Sequence, residues 1–125
     1  SGLFDEYPRL KIVLGHIGEG IPIYLWRIDN RNGWMKAAHK YPAKHSVAHY
    51  FRKHFYLTTS GNFDTPALVN AMTVVGADRV MFSVDWPFED IGEGAQWFDG
   101  AAISESDRHK IGRDNAIKLF KLPLR

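Results

Sequence analysis

The chain contains 125 residues, of which 45% are hydrophobic and 24% are charged, a balance typical of a folded globular protein and not of a disordered or collagen-like one. Its formal net charge of +2 is too small for a surface that neutralises many phosphates, so we expect no nucleic-acid partner. Because the sequence has no cysteine and no apolar run of about 18 residues, we expect no disulfide framework and no membrane partner, and a cytoplasmic location.

Three short apolar runs predict the strands of a parallel sheet. They occupy residues 11–16, 55–61 and 79–85, and the first places three branched apolar residues in a row before a glycine. Continuous apolar runs of this length are typical of strands that are buried on both faces. Polar residues collect at the C-terminal end of each run. The three predicted strands end in His16, Ser60 and Asp85.

Helical periodicity follows each predicted strand. Residues 19–29 predict one helix. Thr65 is a suitable N-cap for a second helix, in which Pro66 takes the first position and apolar residues at helical spacing continue to Gly76. A capping-box pattern opens a third helix over residues 104–122. This alternation predicts right-handed crossovers and a parallel α/β sheet, either doubly wound or part of a barrel.

The region 31–52 departs from this alternation. It is rich in His, Lys, Tyr and Pro, and we interpret it as an insertion over the C-terminal edge of the sheet that contains one short helix, Val47–His54. The inserted loop and helix therefore occupy about residues 31–54, and long loops at this edge usually build sites.

The length of the chain limits the architecture that it can complete. A (β/α)8 barrel takes roughly 250 residues, and three strands with their helices account for under half of it. In a barrel, the first and the last of these strands would each leave one edge unpaired. We therefore expect the 125-residue chain to be unstable as a lone monomer, and to exist as a homo-oligomer or with a missing N-terminal half.

His16 is a candidate site residue because ligands bind beyond the carboxyl ends of strands in open parallel sheets and in barrels alike. Gly15 and Gly18 let the backbone turn sharply around it. Glu19 lies three residues further on, where its carboxylate can accept a hydrogen bond from one ring nitrogen and set the tautomer. The alternative is a histidine that merely caps a strand.

Asp85 is the second candidate, since the strand before it is too apolar to leave a carboxylate without a partner. It requires a metal ion or a strong hydrogen-bond donor. The alternative is an aspartate that caps a following helix, but Pro87 and Phe88 favour a rigid loop. Trp86 and Phe88 could form an aromatic wall for a flat substrate, although buried packing is the commoner fate of such residues.

Other patterns predict no chemistry. His45 and His49 are four residues apart, but no third ligand stands nearby, so we interpret them as part of a solvated or packing face. The glycines around Glu93 do not match a phosphate loop, and no serine stands in a nucleophile-elbow context.

Taken together, the motifs resemble the C-terminal part of the metal-dependent amidohydrolase superfamily, in its decarboxylase branch, whose members are similar to γ-resorcylate and 2,3-dihydroxybenzoate decarboxylases. The resemblance spans nearly the whole chain. It is carried by residues 4–19, 25–29, 58–63, 76–79, 82–89 and 113–120.

The resemblance implies that the chain forms about strands 6 to 8 of a distorted (β/α)8 TIM-type barrel. It implies metal-dependent, non-oxidative decarboxylation of a hydroxybenzoate-type aromatic acid, with a divalent metal and no organic cofactor. Zinc is the first expectation for that metal, and manganese and magnesium are the other options. By the same match Asp85 binds the metal and later delivers a proton, while His16 hydrogen-bonds beside it and is oriented by Glu19. Phe88 would lie against the aromatic ring, and Arg27 resembles an arginine that reaches toward the active site of a neighbouring subunit.

Val84 stands where many members of the family have threonine. The metal ligands that the family carries on its first and fifth strands are not among these residues, so we expect the isolated chain to lack a complete site and to be inactive. Two alternatives remain: a lactonase-like, metal-dependent hydrolase on the same barrel, in which Asp85 would activate water, and a truncated chain without catalytic function.

Overall fold

The computed structural model describes residues 1–39 and 41–124. In these residues three parallel strands form one sheet, in which β2 lies between β1 and β3. The strands are β1 (Ile12–Leu14), β2 (Phe55–Thr58) and β3 (Val80–Met81). The three predicted strands and their parallel arrangement are therefore confirmed. Each strand ends before the last residues of its predicted range, so that His16, Ser60 and Asp85 all lie in the turns that follow the strands.

Helices and turns connect the strands and cover the sheet. In chain order they are α1 (Leu3–Glu6), α2 (His16–Glu19), α3 (Ile21–His39), α4 (Val47–His54), α5 (Thr65–Val75), a 3-10 turn (Ala77–Arg79), α6 (Ile91–Gly100), α7 (Glu105–His109), a π-helical segment (Lys110–Asp114) and α8 (Asn115–Phe120). Within the described ranges, no helix has the length and apolar character needed to cross a bilayer.

The predicted start of the C-terminal helix at Ser104 is confirmed, with Ser104 as its N-cap. The Ser104 side chain accepts a hydrogen bond from the backbone N–H of Asp107 at 3.1 Å, and α7, the π-helical segment and α8 then follow without a gap to Phe120. Within the π-helical segment the carbonyl of Ile111 accepts a hydrogen bond from the N–H of Phe82 at 2.8 Å. The chain directly after β3 is thus attached to this helix.

The boundary of the predicted insertion is wrong. α3 begins at Ile21, after Gly20 has ended the preceding turn with a φ of +74°, and it continues to His39. No proline follows Pro22 within this stretch, so the helix propagates through the first part of the predicted insertion. The predicted helix Val47–His54 is confirmed as α4, and its N-cap Ser46 accepts from the N–H of His49 at 3.1 Å.

The predicted N-cap of α5 is also wrong. The cap is Asp64, whose carboxylate accepts from the N–H of Ala67 at 2.8 Å, and Thr65 is the first helical residue. Aspartate is at least as good a cap as threonine. The hydroxyl of Thr65 instead accepts a hydrogen bond from the indole N–H of Trp97 at 3.2 Å.

Helix α6 was not predicted, because its glycines obscure the helical spacing of its apolar residues. Asp90 caps it by accepting from the N–H of Glu93 at 2.8 Å. A Cβ at Gly94 would lie 2.8 Å from Cζ of Phe63, so the glycine lets α6 pack closely on that ring. Tertiary packing therefore outweighs the low helix propensity of glycine here.

The core lies between the sheet and its covering helices. Its largest fully buried apolar side chains come from β2, β3, α3, α5 and the π-helical segment; they are Leu57, Val80, Leu25, Leu68 and Ile111. The expectation that the first strand is buried on both faces is wrong, since Val13 in the middle of β1 remains 43% exposed. β1 is an edge strand of the described sheet, and nothing in the described chain covers this face fully.

Candidate active site at the carboxyl ends of the strands

The parallel sheet brings two of the predicted site residues together. His16 follows β1 and Asp85 follows β3, and the His16 Nε2 atom lies 3.4 Å from Oδ2 of Asp85. The other ring nitrogen, Nδ1, contacts Oε1 of Glu19, as the spacing of three residues predicted. One imidazole therefore joins two carboxylates.

The backbone around this group adopts unusual conformations. His16, Ile17, Gly18, Glu19 and Gly20 all have positive φ values, of 49°, 53°, 84°, 53° and 74°. The left-handed region costs a residue with a Cβ roughly 1–2 kcal/mol. This turn therefore concentrates backbone strain beside the candidate site, which is where strained residues tend to cluster.

Asp85 shares this feature, with a φ of 84°. Only Lys121 has a positive φ among the other non-glycine residues that the structure describes. The helix-cap alternative for Asp85 does not hold, since α6 is capped by Asp90. The Asp85 side chain is directed to His16 instead, and its backbone carbonyl accepts from the N–H of Phe88 at 2.9 Å.

The two carboxylates raise the pKa of His16 above its ordinary value. The hydrogen bond to Glu19 is the larger cause and the hydrogen bond to Asp85 is the second, while partial burial of the ring opposes them. All three side chains are partly exposed, so solvent can reach the group. The arrangement favours an imidazolium that holds protons on both ring nitrogens.

The described residues fit one metal-ligand position and not a complete metal centre. Among residues 1–39 and 41–124, no three His, Cys, Asp or Glu side chains are arranged to hold a metal ion. Glu19 occupies Nδ1 of His16, which leaves the carboxylate of Asp85 as the donor at the strand ends. Carboxylate oxygen suits magnesium, manganese and zinc, but each of these needs further ligands.

The two predicted substrate-binding residues are exposed and do not join the group through their side chains. Phe88 is tied to Asp85 only by its backbone, and its ring is 84% exposed. Trp86 is exposed as well, so the expected alternative of buried packing does not apply to either residue. Arg27 lies on the exposed surface of α3, beside the exposed ring of Trp26.

Three of the remaining histidines, and Asn115 in the resemblance segment 113–120, have structural contacts. The rings of His45 and His49 stack at 4.2 Å, in agreement with a packing face. His54 is buried and its Nδ1 donates to the carbonyl of Leu10 at 2.9 Å. The side-chain amide of Asn115 donates to the carbonyls of Ala77 and Val80, each at 2.7 Å, and so anchors the start of β3.

The loop after β2 was missed as part of the site. Ser60 was predicted as a strand end and lies within the resemblance segment 58–63, but no site role was assigned to it; its carbonyl accepts from the backbone N–H of His16 at 3.1 Å. Thr59 and Gly61 bind the backbone of Ser83 and Val84, directly after β3, and the signal that could have found them is the run of small residues at the end of an apolar strand.

Comparison with known proteins assigns this architecture. The family described as "Amidohydrolase" matches residues 1–122. γ-Resorcylate decarboxylase from Polaromonas sp. (strain JS666) is 60% identical over 122 residues, which are 98% of this chain and 37% of that enzyme. The corresponding enzyme from Rhodococcus jostii (strain RHA1) shows the same identity and coverage.

Solved structures give the same result. A 2,6-dihydroxybenzoate decarboxylase in complex with 2,6-dihydroxybenzoate superposes with a TM-score of 0.91 and 56% identity, over 97% of this chain and 37% of that chain. A dihydroxybenzoic acid decarboxylase from Polaromonas sp. JS666, with bound manganese and the inhibitor 2-nitroresorcinol, superposes with a TM-score of 0.92 and 58% identity, over 100% of this chain and 38% of that chain. The chain thus spans a little over a third of the length of these relatives, and its α/β fold matches that fraction of their structures.

Proposed function

Because the chain belongs to the amidohydrolase family, we propose that it is part of an enzyme that removes CO2, without oxidation, from a dihydroxybenzoate-type aromatic acid. The observation that carries this function is the contact between His16 and Asp85 at the strand ends, in a chain 60% identical to γ-resorcylate decarboxylases. The longer protein that this chain would form with the remaining strands is called the complete enzyme below.

In the complete enzyme, β1, β2 and β3 correspond to about strands 6 to 8 of the barrel, so that residues 1–125 form its C-terminal portion. Two observations support this placement. Three of eight strands are about 38% of a barrel, and the chain covers 37% of the length of the γ-resorcylate decarboxylases. The exposed Val13 on β1 would be covered by the preceding strand and its helix.

Asp85 contributes one ligand to a divalent metal, and residues outside this chain supply the others. The manganese in the Polaromonas structure supports a divalent ion and favours manganese over zinc, the first expectation from the resemblance. When bound, such an ion supplies a Lewis acid and a template for the substrate carboxylate and the adjacent hydroxyl.

Residues of this chain deliver the proton that replaces the carboxylate on the ring, and they restore it for the next turnover. The carboxyl group of Asp85 delivers a proton from Oδ2 to the ring carbon that bears the substrate carboxylate. The bond to the carboxylate carbon then breaks, CO2 leaves, and its electron pair restores the aromatic ring. His16 Nε2, at 3.4 Å from Oδ2, returns a proton to Asp85, and Glu19 holds Nδ1 so that the ring keeps this orientation.

Phe88 and Arg27 would contact the substrate. The exposed ring of Phe88 is close in sequence to Asp85 and can lie against a flat aromatic acid. Arg27, on the exposed surface of α3, offers a forked guanidinium to a carboxylate in the site of a neighbouring subunit. The complete enzyme would then be a homo-oligomer, in which the neighbouring subunit also covers the exposed Trp26.

The test is the reaction itself. The complete enzyme, loaded with manganese, should release CO2 from 2,6-dihydroxybenzoate and produce the corresponding dihydroxybenzene, whereas the same enzyme stripped of metal should not. Uptake of base with lactone substrates, without release of CO2 from any hydroxybenzoate, would contradict the decarboxylase function. No observation on the chain favours that hydrolytic alternative.

A further inference from the structure

We propose that Thr59, a residue outside the His16–Glu19–Asp85 group, is a positioning residue that holds Asp85 at its distance from His16. This role rests on the proposed function, because it concerns the same site. Thr59 directly follows β2, and its side chain is completely buried. It acts through Ser83, which stands two residues before Asp85.

One hydroxyl group satisfies both backbone groups of Ser83. Oγ1 of Thr59 donates to the carbonyl oxygen of Ser83 at 2.7 Å and accepts from its N–H at 3.0 Å. The backbone N–H of Thr59 donates to the carbonyl of Met81 at 3.1 Å, and β3 ends at that residue. Beyond Met81, a side chain therefore replaces the backbone pairing that would continue the two strands.

Because of this replacement, the segments that follow β2 and β3 stay hydrogen-bonded to each other after the regular strand pairing has ended. The backbone of β2 turns away toward β1, where the Ser60 carbonyl accepts from the N–H of His16 at 3.1 Å. The chain after β3 stays attached, because the N–H of Gly61 also donates to the carbonyl of Val84 at 3.2 Å. Ser83 and Val84 are thus both held by the loop after β2, and Asp85 is the next residue.

The same loop leaves the space in which the two site residues meet. Gly61 has a φ of +64°, and a Cβ at this position would lie 2.7 Å from Cδ2 of His16 and 3.3 Å from Oδ2 of Asp85. Any side chain here would therefore push His16 and Asp85 apart. The loop 59–61 therefore binds the segments that follow both flanking strands. Because Gly61 has no side chain, the loop leaves His16 and Asp85 in contact.

A purely structural role for Thr59 predicts a different result from a positioning role. Removing the hydroxyl leaves the N–H and the carbonyl of Ser83 without these bonds, which lowers stability in both cases. Only a positioning role also displaces Asp85, and with it the metal-binding carboxylate. The affinity of the enzyme for metal, measured without substrate, therefore distinguishes a structural role of Thr59 from a positioning role.

The experiment compares Thr59→Val, which keeps the shape of the side chain, with Thr59→Ser, which keeps the hydroxyl, in the complete enzyme. Thr73→Val is the matched control, since Oγ1 of Thr73 donates to the carbonyl of Val69 at 2.8 Å on the exposed side of α5. Binding of Mn²⁺ is measured by the loss of the free-ion electron paramagnetic resonance signal. We expect Thr59→Val to weaken Mn²⁺ binding and to lower kcat by about 10- to 100-fold, with Thr59→Ser and Thr73→Val within about twofold of wild type.

A second pair of variants covers the case in which Thr59→Val does not fold. Gly61→Ala should weaken Mn²⁺ binding in the same way, because its methyl group enters the gap between His16 and Asp85. Gly76→Ala is its control: Gly76 also has a positive φ, of +88°, but a Cβ there would meet no atom within 4 Å.

Each outcome decides between the roles. Equal Mn²⁺ affinity and kcat in Thr59→Val and Thr73→Val would overturn the positioning role while leaving the decarboxylase function intact. A wild-type enzyme that binds Mn²⁺ but releases no CO2 would overturn the proposed function, and the Mn²⁺ affinities would still test Thr59. A wild-type enzyme that neither binds Mn²⁺ nor releases CO2 contradicts both, since Thr59 would then have no metal-binding carboxylate to position.

Discussion

Nε2 of His16 lies 3.4 Å from Oδ2 of Asp85, although the two residues are 69 positions apart in the chain and their strands are not neighbours in the sheet. The strand between them is β2, and Gly61 in the loop after β2 lies against both side chains. The pair therefore spans the end of the middle strand. An imidazole between two carboxylates, which raise its pKa, suits a site that must hold and release protons.

Asp85→Asn in the complete enzyme should lower kcat by at least about 100-fold, the smaller end of the effect of general acid catalysis. A neutral amide cannot deliver the proton and is a poorer metal ligand, so the manganese content after dialysis should fall as well. Elemental analysis together with CO2 release measures both effects. Full activity with normal metal occupancy would exclude both roles of Asp85.

His16→Ala should separate proton return from metal binding. The variant keeps the carboxylate of Asp85, so Mn²⁺ occupancy should stay close to wild type, while turnover falls by about 10- to 100-fold, as for other residues that support a metal ligand. A loss of manganese equal to that of Asp85→Asn would show instead that His16 is itself a metal ligand.

The hydrogen bonds of Asp5 predict that the folded protein loses stability in acid. Its carboxylate accepts from the N–H of Lys44 at 3.0 Å and from the hydroxyl of Tyr50 at 2.7 Å, and these two hydrogen bonds, in that order, lower the pKa of Asp5 below its usual value of 3.8. A group whose pKa is lowered by folding stabilises the protein above its unfolded pKa and loses this contribution as the pH falls through its folded pKa.

The melting temperature of the complete enzyme and of Asp5→Asn, measured from pH 7 down to pH 3, tests this. Asp5→Asn should melt lower at neutral pH, and the difference should shrink as the pH falls below 4. Tyr50→Phe should show a smaller, parallel effect, since the bond from Lys44 remains. A difference that stays constant across this range would contradict the lowered pKa.

Two glycines of α6 predict opposite effects of the same substitution. Gly94→Ala should destabilise the protein by about 1–3 kcal/mol, because the new methyl group lies 2.8 Å from Cζ of Phe63 in a packed interior. Gly100→Ala should be neutral or stabilising by up to about 1 kcal/mol, since a Cβ there meets no atom within 4 Å and alanine favours the helix. Denaturant unfolding of both variants measures the difference, and equal effects would argue against the close packing of α6 on Phe63.

The isolated 125-residue chain should form oligomers and release no CO2. Val13 on β1 and Trp26 on α3 expose apolar surface, and the described residues offer one metal ligand at the strand ends. Sedimentation of the chain, with an assay on 2,6-dihydroxybenzoate, tests this. A compact monomer that melts cooperatively and turns over this acid would refute both the need for further strands and the need for further ligands.

Several features of the fold could be predicted because they depend on neighbours in the sequence. The apolar runs predicted all three strands, the short helix Val47–His54 was predicted within the insertion, and a local capping pattern predicted the start of the C-terminal helix at Ser104. α6 could not be predicted in this way. Its glycines lower helix propensity, and the close packing on Phe63 that favours them comes from a distant segment.

The sequence by itself determined the residue types at the strand ends and the His16–Glu19 contact, since a separation of three residues across a glycine turn leaves the two side chains within reach. Only the tertiary structure decided that Asp85 meets His16 and that Thr59 holds the end of β3. These contacts depend on strand order, on parallel register and on the point at which backbone pairing stops. The hydrophobic pattern along each strand carries no information on how far its end lies from the end of another strand.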